Sequence, residues 1–121
     1  MSKLLETKDK IFSWAEEKKA EDLSFVDVSG KSSYTDMLII CSGSNELHVK
    51  AIADNIADNA RKEKIQVLAV EGMDNATWVL IDLIDIIVHV FNEQTRKYYK
   101  LEDLWKITSE NKDENIKDDK E

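Results

Sequence analysis

No run of apolar residues in this chain approaches the roughly 20 needed to cross a bilayer, so no membrane span is expected. The opening residues, MSKLLETKDK, hold no signal-peptide apolar core and are too acidic for a transit peptide. Cysteine is nearly absent. The single Cys41 can make no internal disulfide, and its apolar neighbours suggest a small buried side chain in a reducing compartment. Cations are outnumbered, with 17 Lys and Arg against 25 Asp and Glu, for a net charge of -8. That balance argues against broad contact with a phosphate backbone, which needs clustered Lys and Arg. No nucleophile stands beside a base, and no metal-ligand spacing or internal repeat is visible. What remains is a chain of 121 residues, the size of one cytoplasmic domain and long enough to bury a core without disulfides.

What is present is apolar periodicity. From Lys3 to Lys19, Leu4, Leu5, Ile11, Phe12 and Ala15 recur near helical spacing with charges between them. Ser24 to Val28 alternates, with Phe25, Asp27 and Ser29 on one side and Val26 and Val28 on the other, as in a half-buried strand. Ser29 to Ser33 is a turn cluster. Met37 to Cys41, MLIIC, is a short continuous apolar run and predicts a buried central strand. Ser42-Gly43-Ser44-Asn45 ends it, and Ser44 or Asn45 can cap the next helix through a side-chain oxygen. Val49, Ile52, Ala53, Ile56 and Ala60 form that helix's apolar stripe, which runs to about Lys62.

Ile65 to Val70 predicts a third strand, joined to the Met37 strand by a right-handed crossover as a parallel pair. Thr77 to Asp82 and Asp85 to Phe91 predict an antiparallel hairpin, and Leu101 to Ile107 a short closing helix. From Thr108 the composition changes. TSENKDENIKDDKE holds one apolar residue, Ile116, and cannot offset its ordering entropy, so residues 108–121 read as a charged disordered tail. Residues 1–107 read as a single α/β domain, a mixed sheet of about five strands covered by helices.

The hairpin carries the most specific pattern. With a turn at Asp82-Leu83-Ile84-Asp85, Leu80 faces Ile87 and Trp78 faces His89. Alternation then puts Trp78, Leu80, Ile87, His89 and Phe91 on one face, and Val79, Ile81, Ile86, Val88 and Val90 on the other. The second set is uniformly aliphatic and reads as core. The first mixes aromatic, imidazole and acid, which suits a surface that meets a partner. It equally suits a half-buried core Trp with an exposed rim.

Signals for catalysis are weaker. Asp82 and Asp85 flank a tight turn, where acids are commonly solvated turn residues. Gly43-Ser44 before a helix resembles the phosphate-binding Gly-Ser of nucleotidyltransferases. The magnesium-holding Asp-x-Asp is missing from the following strand, QVLAVEG, so Gly43-Ser44 reads as a cap and turn. Cys41, His48 and His89 match no zinc spacing. His48 reads as a solvent-facing or packing residue. The residues themselves name no catalytic group, metal or cofactor.

Two stretches together carry a family resemblance. They are DLSFVDVSGKSSYTDMLIICSGSNELHVKAIAD and EGMDNATWVLIDLIDIIVHVFNEQTRKYYKLEDLW. The SG-x-S-x-x-HV-x-AIAD block, W-V-L-x-D and VHVF-x-x-x-x-R-x-x-Y-x-L-E-x-L-W form a specific combination, though each fragment alone is weak. Over roughly Asp22 to Trp105 the chain resembles the ribosomal silencing factor family (RsfS, also called Iojap). The resemblance implies a nucleotidyltransferase-like α/β fold without transferase activity. It implies binding to the large ribosomal subunit through its protein number fourteen, with a steric block to subunit joining when nutrients are scarce. Large-subunit maturation is the alternative role, and a minimal nucleotidyltransferase the remaining one. A homodimer when free is among the implied states. The acidic surface fits a basic ribosomal protein rather than RNA. Contact residues expected on this basis are Trp78, Leu80, Asp82 and His89, with Arg96 and Tyr99 nearby. Relatives usually carry Tyr-Gly where this chain has Leu83-Ile84. A β-branched Ile resists the positive φ a glycine supplies, so the turn is expected to differ in type or be longer.

Overall fold

The computed structural model describes residues 2–31, 33 and 35–93. Helix α1 (Ser2–Glu17) leads into strand β1 (Glu21–Asp27), followed by β2 (Met37–Gly43), α2 (Glu46–Lys62), β3 (Ala69–Glu71), β4 (Trp78–Asp82) and β5 (Ile86–Asn92). The five strands form one sheet in the order β1-β2-β5-β4-β3. Only β2 and β5 pair in parallel; the other three neighbours are antiparallel. The expected closing helix, the charged tail, Arg96 and Tyr99 lie outside the described residues.

Local sequence accounts for most of the elements. All seven residues of β2 and six of seven in β5 are buried, so these two apolar runs form the sheet's centre. In α2, Asn45 is the cap: its side-chain oxygen accepts from His48 N–H at 2.9 Å. Arg61 and Lys62 in the last turn suit the negative end of the helix dipole. The stripe Val49, Ile52, Ala53, Ile56 and Ala60 is buried as the spacing predicts. In α1 the inward residues are Ile11, Trp14 and Ala15, whereas Leu5 is 46% exposed. Asn55 ties the helices together, donating to Trp14 O at 2.8 Å and Glu17 Oε1 at 2.9 Å.

Both helices lie on one face of the sheet. There Ile11, Trp14, Ile52 and Ile56 pack with Ile39, Cys41, Val79, Ile81, Val88 and Val90 in the main core. Each such aliphatic side chain contributes about 1.5–3 kcal/mol by leaving water. The opposite face holds a smaller cluster of Val28, Leu38, Ile40, Ile87 and Phe91, with Val26, Trp78 and Leu80 half-buried against it.

Three expectations are corrected. The third strand is not the parallel neighbour of β2. It shrinks to Ala69–Glu71 and pairs antiparallel with β4 at the far edge. Through the intervening pairings it runs in the same direction as β2, but two strands separate them. The slot beside β2 goes to β5, which is buried along six of its seven residues, whereas β3 is three residues long and partly exposed.

The hairpin register is the second. Trp78 pairs with Phe91, Leu80 with His89 and Asp82 with Ile87. The shift is two residues, so every side chain keeps its expected face.

The third concerns the turn. Leu83 N–H donates to Ile86 O at 2.9 Å, leaving Ile84 and Asp85 at the apex. Ile84 adopts φ +76° despite its branched Cβ, and Asp85 N–H reaches back to Leu83 O at 2.9 Å. This is a γ-turn, a strained type. Neighbours hold it in place: Asp82 Oδ1 accepts from Ile84 N–H at 2.8 Å, and Leu83 is only 5% exposed. Asp85 O also accepts from Asp36 N–H at 3.0 Å and Met37 N–H at 3.2 Å. The turn expected at Asp82 to Asp85 thus closes between Leu83 and Ile86, and Ile84 takes the conformation that favours glycine.

Candidate partner-binding face

The candidate site is built on β4 and its edge neighbour β3. Strand β4 alternates strictly, with Val79 and Ile81 buried toward the helices and Trp78, Leu80 and Asp82 half-buried on the other face. The register pairs Glu71 with Leu80 and Ala69 with Asp82, so Glu71 shares the face of Trp78, Leu80 and Asp82. A surface cleft of about 250 Å³ is lined by Glu71, Gly72, Trp78 and Leu80. The face thus combines an aromatic and an aliphatic floor with two carboxylates.

The start of β4 is fixed by the loop before it. Gly72 sits at φ +92°, and a Cβ there would come within 2.2 Å of Trp78 O. Only glycine allows that approach. Ala76 N–H closes the loop by donating to Gly72 O at 3.0 Å, and Asn92 N–H donates to Thr77 O at 2.9 Å. The glycine in EGMDNATW is the signal for this cradle. Glu71 and Gly72 were nevertheless absent from the expected contact set, because nothing in the local pattern shows which strand will lie beside β4.

The Trp78 side chain is fixed from below. Its Nε1–H donates to His89 Nδ1 at 3.0 Å, and its ring lies 5.0 Å from that of Phe91, tilted by 30°. His89 is 3% exposed. Burial pushes its pKa down from an ordinary 6.5 to about 4, so the imidazole is neutral at physiological pH. The structure therefore brings Trp78, Leu80 and Asp82 together on one accessible face but places His89 beneath it. The expectation that His89 touches a partner directly is corrected: its imidazole lies against Trp78 and Phe91 rather than at the surface. Of Asp82, one carboxylate oxygen serves the turn by accepting from Ile84 N–H.

The other candidates are structural. Cys41 is fully buried in the main core. His48 accepts from Ser44 N–H at 2.8 Å through Nδ1 and donates through Nε2 to Lys18 O at 2.7 Å, joining the end of α1 to the start of α2. Gly43 is needed because a Cβ there would lie 2.8 Å from Val49 N. Ser44 and His48 N–H groups, which a phosphate would need, are already bonded within the chain. Among the described residues no three His, Cys, Asp or Glu side chains group to hold a metal, and no helix is long and apolar enough to cross a membrane.

The family model described as "Ribosomal silencing factor during starvation" matches residues 2–121. This chain belongs to the ribosomal silencing factor family. The Bacillus subtilis ribosomal silencing factor RsfS is 47% identical over 90 residues, which cover 74% of this chain and 76% of that protein. A crystal structure of a Chromobacterium violaceum protein superposes with a TM-score of 0.79 at 29% identity, covering 84% of each chain. A mouse protein named for mitochondrial assembly of the ribosomal large subunit is 27% identical over 104 residues, covering 84% of this chain and 46% of its own length. The mixed α/β sheet is thus the fold of the ribosomal silencing factors.

Proposed function

We propose that this protein represses translation in the cytoplasm by binding the large ribosomal subunit through its protein number fourteen. Bound there, it sterically blocks joining of the small subunit when nutrients are scarce. It acts by occupancy and not as an enzyme, and it takes no cofactor. The observation that carries the reading is the face of Trp78, Leu80, Asp82 and Glu71 on β4 and β3, in a chain of the silencing-factor family. An aromatic anchor with an aliphatic neighbour supplies burial on docking. The two carboxylates and the net charge of -8 favour a basic protein over a phosphate backbone. Arg96 and Tyr99 extend the proposed contact set, and a homodimer is the proposed state when free. The test is sucrose-gradient sedimentation of ribosomal subunits with added protein. Co-sedimentation with large subunits and a smaller joined-ribosome peak are expected. Protein left at the top, with that peak unchanged, overturns the reading.

The second reading is large-subunit maturation, favoured by the mouse relative named for that assembly. Loss of the gene would then accumulate large-subunit precursors during growth in rich medium, where silencing has no role.

A further inference from the structure

We propose that His89 is a positioning residue for partner binding: its Nδ1 fixes the Trp78 indole in the orientation that docks. This rests on the reading of the Trp78 face as the ribosomal contact and names a residue that acts through another. The argument begins with donor chemistry. An indole Nε1–H can only donate, so the 3.0 Å contact requires Nδ1 to be an unprotonated acceptor. The single proton of the neutral ring must then sit on Nε2. That Nε2 is buried and has no hydrogen-bond partner. The chain thus keeps a polar ring among Ile40, Ile87 and Phe91 with one of its two nitrogens unsatisfied. For stability alone an apolar side chain of similar size would serve as well or better, since a buried unsatisfied donor is costly. The remaining nitrogen makes one bond, and that bond is to the half-buried Trp78.

The bond supplies what packing does not. The ring of Trp78 is tilted against those of Phe91 and His89, and such ring contacts are less directional than a hydrogen bond with a fixed donor and acceptor. The bond to His89 Nδ1 therefore adds direction to the placement of the indole. The Trp78 backbone is separately held by the Gly72 loop. An anchor held in its bound rotamer loses less entropy on docking. Desolvation, which holds the His89 ring neutral, keeps Nδ1 available as an acceptor across the physiological range.

The test uses the full chain and purified large ribosomal subunits. His89→Leu keeps a side chain of comparable bulk and removes the acceptor. His89→Asn restores an acceptor where Nδ1 stood. Two quantities are read for each: binding to large subunits, and the Trp78 indole N–H signal in a nitrogen–proton NMR spectrum, assigned by its loss in Trp78→Phe. His89→Leu is expected to melt at or above the wild-type temperature, to shift the Trp78 indole signal with faster solvent exchange, and to bind roughly tenfold more weakly. His89→Asn is expected to recover most of both the signal and the binding. An unmoved indole signal in His89→Leu overturns the proposal, as does a moved signal with wild-type binding. If the Leu variant does not fold, failure of the Asn variant to keep the indole signal overturns it. Should the wild-type chain itself not bind large subunits, the functional reading falls, and with it the proposed role of His89 in binding.

Discussion

The two faces of this sheet are made by the same strands but are built differently. Toward the helices, the buried residues of β2, β4 and β5 are aliphatic apart from Met37 and Cys41, and they are sealed by α1 and α2. On the other side the same three strands present Leu38, Ile40, Leu80 and Ile87 together with Trp78, His89 and Phe91. The first face needs no direction, because burial of aliphatic carbon is non-directional. The second contains a directional hydrogen bond from Trp78 to His89, an unsatisfied nitrogen and two acids at its β3–β4 edge. A face that served packing alone would not keep those groups. The comparison supports the proposed division, with stability on one side and recognition on the other, and mutations can break it.

The largest effect is expected on the helix-covered side. Ile39 is fully buried in the main core, and Ile39→Ala should cost about 2–5 kcal/mol, read by denaturant unfolding. Its ribosome binding should fall only in proportion to the folded fraction. Weakened binding in the fully folded variant would show that the two faces are not separate in function.

Acid should act on the opposite face through His89. Its pKa is lowered to about 4 from an ordinary 6.5, so below pH 6.5 the unfolded chain takes up a proton that the folded chain does not. Stability from this group is therefore complete above pH 6.5 and is lost as pH falls toward 4. The loss over that interval of 6.5 - 4 = 2.5 units is on the order of 3 kcal/mol, at about 1.4 kcal/mol per unit. The measurement is the difference in pH-dependence of unfolding between wild type and His89→Leu. Parallel curves between pH 6.5 and 4 would place His89 in contact with water.

Trp78→Ala separates recognition from folding most directly. Truncating an aromatic anchor at an interface costs about 2 kcal/mol or more of binding. A Trp that serves the core would instead cost about 3–5 kcal/mol of stability. Near-normal denaturant stability with lost binding to large subunits is expected. A large stability loss, with binding following the folded fraction, would return Trp78 to the core.

The smallest effect is at the hairpin apex. Ile84 holds φ +76° and is 41% exposed, so Ile84→Gly removes strain and little burial. A gain of roughly 1 kcal/mol is expected, since a non-glycine residue pays about 1–2 kcal/mol for a left-handed backbone and glycine returns part of this as entropy. A loss of stability would mean that the Ile84 side chain contributes packing that outweighs its strain.

Much of this was readable along the chain. The α2 stripe, its cap among Ser44 and Asn45, the buried MLIIC strand and the two faces of the hairpin all follow from periods of 3.6 and 2. The family resemblance rested on the same stretches. Trp78, Leu80 and Asp82 were legible as a set because strand alternation alone places them on one face. Trp14 lies outside the expected α1 stripe yet is buried at 8% exposure; its spacing of three from the inward Ile11 is the signal that places it. A polar ring on a mixed face suggests exposure, and only the packing of Trp78 and Phe91 around His89 shows that it is buried.

Among the described residues, the sequence by itself determined which segments are helix and strand, apart from the extent of β3, and which side of each strand a residue takes. Those properties depend on backbone geometry within a few residues, so they survive even a two-residue error in register. Tertiary structure alone decided that β5 rather than β3 lies beside β2, that Ile84 is forced into a positive φ, and that His89 lies beneath Trp78. Each of these depends on how much surface residues distant in sequence can bury together, and no local pattern contains that quantity.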